Sequence, residues 1–228
     1  LEGGLDDAII NVNQDAIYDL DGTDDYISLA AFQTQHRGTF SYAMWVNMDD
    51  WTPSGDEMFF GTNNGTDQDA IAGYTDSGGN IKFSYVSNGT GKSAHTASNP
   101  GLGNGTWNHL AFTMSGTSTG AMKIYINGVE QTLDGTHDGA FAGNKALWTS
   151  ADEVFVGAYD NAGTASSFLE GKIADVRLYT AVLTAAEIQV LASRINVDTA
   201  LGPGTGSLYG YWPIAGTRID ITDNSVNS

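Results

Sequence analysis

The chain has 228 residues, 41% hydrophobic and 11% aromatic, with 9 basic against 27 acidic side chains and a net charge of −18. That is enough apolar material for one large core, but no basic stripe exists to neutralise nucleic-acid phosphates or to seat the chain on an anionic membrane. The absence of cysteine excludes disulfides, thiolate metal sites and cysteine nucleophiles.

In chain order, residues 1–14 read as an N-terminal arm or edge strand, anchored by Ile9, Ile10 and Val12. They have neither the basic start nor the apolar centre of a signal peptide, and no apolar run in the chain is long enough to span a membrane. Short strands are expected over 15–21 and 25–30, broken at Gly22 inside an Asp-rich turn. The stretch 39–48 alternates Phe40, Tyr42, Met44, Val46 and Met48 against Ser41, Ala43, Trp45 and Asn47, as a strand with two distinct faces does. Loop chemistry over 49–56 leaves Trp51 among polar neighbours, where a ring could either stack on a sugar or lid the edge of the core.

Strands then follow over 57–61, 69–75, 80–87 and 92–97. Asn-Gly and Gly-rich pairs separate them, supplying the positive φ that tight hairpins need. Asn64, Asn88 and Asn104 each start an Asn-Gly-Thr triplet, read as turn chemistry rather than as glycosylation. Further strands are expected over 106–115, 121–127, 129–133 and 153–159, followed by a loop over 160–167. In 173–179, Ile173, Asp175, Arg177 and Tyr179 alternate with Ala174, Val176 and Leu178. Thr184 and Glu187 form a capping box, and Leu183 can pack on Ile188 as a staple, so a short helix begins there with Ile188, Leu191 and Ile195 on one stripe. A last strand over 208–214 carries Tyr209, Tyr211 and Trp212, and 215–228 reads as a polar tail. With no internal repeat and no dividing linker, the pattern describes one all-β domain over 15–214, a two-sheet antiparallel jelly-roll sandwich with one short helix near its C-terminal part.

Four stretches in order carry a family resemblance. These are Tyr18 to Ile27, Phe40 to Val46, Gly105 to Ala111 with Lys123 to Val129, and Gly171-Lys172-Ile173-Ala174-Asp175-Val176-Arg177-Leu178-Tyr179 running into Leu183-Thr184-Ala185-Ala186-Glu187-Ile188. Together they resemble laminin G-like domains of the concanavalin A-like lectin/glucanase superfamily over roughly 15–195. The resemblance implies the jelly roll. It also implies calcium near the sandwich rim, with Asp175 as the strand ligand and Asp21, Asp24 and Asp25 as partners. A carboxylate in an apolar strand must be coordinated or paired, so an ion pair with Arg177 is the competing account of Asp175.

Function in this architecture has to be argued from a site. Glucanases of the superfamily carry an acid and a nucleophile on one strand face, about 5 to 5.5 Å apart, and no Glu-x-Asp-x-x-Glu arrangement occurs here. His36, His95, His109 and His137 lack metal spacing. The expectation is therefore a non-catalytic module, extracellular or displayed on a cell or virion surface, that binds glycan or a surface protein through exposed aromatics such as Trp51, Trp148 or Tyr159. The alternative is a structural virion component that uses the fold as a rigid, oligomerising block.

Overall fold

The computed structural model describes residues 17–29, 39–63, 69–87, 90–116, 121–134, 153–193 and 208–212. The arm, the tail, Trp148 and His137 lie outside the described residues. In chain order the elements are β1 (Tyr18–Asp21), β2 (Ile27–Leu29), β3 (Phe40–Met48), β4 (Glu57–Asn63), β5 (Asp69–Thr75), β6 (Ile81–Ser87), β7 (Thr90–His95) and β8 (Asn108–Met114). They continue with β9 (Met122–Ile126), β10 (Val129–Glu130), β11 (Val154–Val156), β12 (Tyr159–Asn161), β13 (Thr164–Ser166), β14 (Glu170–Tyr179), α1 (Ala185–Ala192) and β15 (Leu208–Trp212).

The strands form two layers. The first sheet runs β1-β14-β3-β8-β9-β10, with β15 also on β14, and the second runs β13-β12-β4-β5-β6-β7, with β11 bridging β4 to β2. Every pairing is antiparallel except β12 with β4. The expected alternation in 39–48 becomes physical separation. Phe40, Tyr42, Met44, Val46 and Met48 enter the core between the layers, while Ala43 and Trp45 pack on the far side. The core is closed by rings that interlock across the two layers. Tyr42 stacks on Phe60 at 4.1 Å, and Phe112 meets Phe60 edge-on at 5.4 Å, the geometries that ring quadrupoles favour.

Helix α1 forms where the capping box stands. Glu187 N–H donates to Thr184 Oγ1 at 3.3 Å, and Thr184 N–H donates to the Glu187 carboxylate at 2.7 Å. Leu183, Ile188 and Leu191 then bury against Ala43, Ala111, Tyr125 and Tyr179 on the outer face of the first sheet. Ser41 fixes the entry, its hydroxyl donating to Ala181 O and accepting from Leu183 N–H.

The expected pattern breaks in two places: the bulge between Ala174 and Arg177 sends Ile173 into the core with Val176 and Leu178, and the strand expected over 153–159 stops at Val156, before Gly157 at φ 83°. In addition, the loop expected over 160–167 is a hairpin, β12 to β13, because Ala162 and Gly163 both take positive φ, 52° and 85°. A polar run with one glycine hid a tight turn.

Candidate functional site

The outer face of the second sheet can be read row by row from its register. One row across β11, β4, β5, β6 and β7 is Phe155, Gly61, Ala72, Ser84 and Ser93. The next is Met58, Tyr74, Lys82 and His95, and on the other side runs Asn63, Ala70, Val86 and Gly91. Gly61, Ala72, Ser84 and Ser93 thus make one row of small residues, of which Ser84 and Ser93 are partly exposed, with Tyr74, Lys82 and His95 standing along its border. Tyr159 rises at the β4 end. A Cβ placed on Gly61 would come within 2.5 Å of Tyr159 Cδ2, so the ring lies directly over the glycine. Both tyrosines are half-buried, with apolar surface backed by the sheet and an edge toward solvent.

The polar groups of this border are held in fixed positions. Asp76 Oδ1 accepts from the N–H groups of Gly78 and Asn80, and Asp76 Oδ2 stands 2.8 Å from Lys82 Nζ. Burial pushes the Asp76 carboxyl up, but bonds from Lys82 and Asn80 outweigh it and hold the pKa at about 2. Burial lowers the Lys82 pKa and Asp76 more than offsets this, leaving it raised. The Lys82 ammonium sits 5.7 Å from the centre of the Tyr74 ring. His95 Nδ1 is 3.0 Å from Thr96 O, which makes it the protonated nitrogen, and Nε2 is 3.6 Å from Asp134 Oδ2.

Of the aromatics expected to be exposed, Tyr159 is half-buried on the outer face of the second sheet. Trp51 is 2% exposed, with its ring centre 6.1 Å from that of Phe59. Its loop is pulled under the sandwich by Asn104 Oδ1, which accepts Trp51 N–H at 3.0 Å. The core-lid reading describes Trp51, and no ring face is open to a sugar there. Trp148 lies outside the described residues. Tyr74 was not anticipated, because its place beside a row of small residues depends on the register of four strands.

The expected cation ligands divide into two places. Carboxylate oxygens of Asp21, Asp24 and Asp25 all lie within 4.8 Å of one another in the turn from β1 to β2. Asp21 Oδ1 accepts from Thr23 and Asp24 N–H, and Asp25 Oδ2 accepts from Asp21 N–H. Asp175 does not join them. Asp21 pairs with Glu170 and Tyr18 with Ile173, so Asp175 lies further along β14, beyond the far end of β1. It is buried on the outer face of the first sheet and bonded to Arg177, whose Nε and Nη2 stand 2.9 and 2.8 Å from Asp175 Oδ1. Beside this pair His109 is buried and stays neutral. Burial first, and Arg177 second, lower its pKa to about 3.

A family model described as the concanavalin A-like lectin/glucanases superfamily matches residues 21–189. The chain belongs to this superfamily. No curated protein matches it in sequence. Among solved structures, the superfamily fold recurs in a heptameric SAP-like pentraxin from Limulus polyphemus, with a TM-score of 0.54 and 16% identity over 81% of this chain and 84% of that one. It recurs in the CBM40 module of a Ruminococcus gnavus IT-sialidase bound to α2,3-sialyllactose, with a TM-score of 0.57 and 14% identity over 78% and 98%. A putative carbohydrate-binding protein from Bacteroides ovatus gives 0.56 and 16% over 87% and 52%. At these identities the likeness is one of fold.

Proposed function

We propose that this chain is a non-catalytic recognition module, displayed outside a cell or on a surface, that binds glycan across the outer face of its second sheet. The observation that carries the reading is the row that runs from Gly61 and Ala72, both buried, out to the partly exposed Ser84 and Ser93, with half-buried Tyr159 over its β4 end and half-buried Tyr74 alongside it on β5. A row of small residues with hydroxyls lets a sugar ring approach, and Tyr159 and Tyr74 offer apolar faces of the kind that carry most of the energy at such contacts. The carboxylates beside these rows, Asp76 and Asp134, face Lys82 and His95 rather than each other, which is not the opposed acid pair of glycosidic cleavage. Superfamily members described as carbohydrate-binding support the reading at the level of fold. The rigid-block alternative needs a broad apolar face for self-association. Among the described residues, the exposed large hydrophobics are Val129, Val190 and Tyr209, far short of an obligate interface.

The test is a glycan microarray with Tyr159→Ala beside the wild type. Loss of one stacking ring should weaken retention about tenfold, near 1.4 kcal/mol, with thermal unfolding little changed. Equal retention of both proteins would remove this face from the account.

The turn at Asp21, Asp24 and Asp25 fits calcium as a structural ion in this reading. Three carboxylates supply part of the six to eight oxygens calcium takes, and the charge they bring together is what a hard cation would neutralise. Chelator is expected to lower the melting temperature of the wild type and to leave Asp24→Asn unaffected. An unchanged wild-type melting temperature would remove the ion.

A further inference from the structure

Resting on the recognition face just described, we propose that its ligand is a neutral saccharide and that glycans bearing carboxylate or sulfate groups are rejected. Binding an acidic sugar requires a cation free to meet the anion, and four basic side chains among the described residues are each committed to a carboxylate. Lys82 lies 2.8 Å from Asp76, Lys123 2.9 Å from Glu130, Lys172 3.1 Å from Asp19 and Arg177 2.8 Å from Asp175. Of these, only Lys82 stands on the border of the tyrosine-lined row.

Its partner is not easily displaced. Asp76 is clamped by two backbone N–H groups of its own turn, so an incoming anion would face a fixed like charge at the site it must occupy. His95 is turned in the same way, one ring nitrogen on a carbonyl and the other toward Asp134. Asp56 adds a further charge close enough to be felt at Tyr74. Like-charge juxtaposition is how interfaces exclude wrong partners, and a net charge of −18 extends the repulsion beyond contact distance. Seryl hydroxyls and tyrosine faces need no charge in the ligand. The CBM40 module bound to sialyllactose therefore shares the architecture with this chain and not the ligand chemistry.

Retention is measured by affinity electrophoresis through neutral polysaccharides (β-glucan, xylan, galactan) and acidic ones (polygalacturonate, a sulfated galactan). Binding of α2,3-sialyllactose is measured by calorimetry, with calcium and with chelator in each case. The wild type is expected to bind a neutral glycan at least about tenfold more tightly than any acidic one, with little change between about 50 and about 500 mM salt, a range over which screening changes strongly. Asp76→Asn keeps an oxygen acceptor for the turn and releases Lys82. It is expected to raise affinity for the acidic probes several-fold relative to the neutral ones. Acidic glycans preferred by the wild type, with or without calcium, would overturn the inference and leave the recognition face standing. Retention of neither class would overturn the recognition face and this inference with it.

Discussion

Asp175→Ala is expected to destabilise the fold by about 3–5 kcal/mol, the range for removing one partner of a buried ion pair. The Asp175 and Arg177 side chains are 3% and 1% exposed. The guanidinium, which cannot deprotonate, is roofed by the Tyr211 ring 4.2 Å away and flanked by neutral His109. Without the carboxylate it becomes a buried, uncompensated charge. A second cost comes from the backbone. Asp175 has φ 54° at the bulge between Ala174 and Arg177, a conformation that Asp tolerates and Ala resists by about 1–2 kcal/mol. Asp175→Gly removes the backbone cost and keeps the charge cost, so urea unfolding of the two variants separates them. Arg177→Met in the Asp175→Gly background should recover most of the loss. Failure to recover would mean that the pair is not what the bulge is built around.

That result bears on how far the sequence can be read. A charged residue in an apolar strand announces that something must neutralise it, and both a cation and Arg177 satisfied the rule. Choosing between them needs the bulge, which shifts the alternation so that Ile173 joins Val176 and Leu178 in the core while Asp175 and Arg177 lie together on the other face beneath Tyr211 of a distant strand. The capping box at Thr184 and the two-faced strand at 40–48 were legible because each is decided by residues a few positions apart. Trp51 was not. Its neighbours are polar, and the group that draws its loop inward, Asn104, is distant in sequence. The proposed recognition face was hidden for the same reason. Ala72, Ser84 and Ser93 are unremarkable alone, and become one row only when three hairpins fix their registers. Tyr159 was identified as an exposed aromatic, yet the signal for its position lies in Gly61, a glycine within a strand that makes room for another side chain.

Gly171→Ala is expected to be the most damaging single methyl that can be added to the described chain, costing roughly 4 kcal/mol or more and bordering on failure to fold. Gly171 opens the strand motif that carries the family resemblance. A Cβ there would lie 2.3 Å from Asn47 O and 2.8 Å from Met48 Cα. Both are backbone atoms of β3, so no rotamer change can clear them and β3 would have to move away from β14. The φ of 146° adds a conformation that side chains rarely adopt. Gly163→Ala separates the two effects. Gly163 also has positive φ, 85°, but nothing lies within 4 Å of the added methyl, so its cost should stay near 1 kcal/mol. Chemical denaturation of both variants gives the comparison. Equal losses would mean that backbone conformation alone selects glycine at Gly171. A much larger loss at Gly171 would mean that the close approach of two strands does. That approach pairs Gly171 with Met48 and Ile173 with Val46, and so sets the register by which the central strands of the first sheet close the core beneath the proposed recognition face.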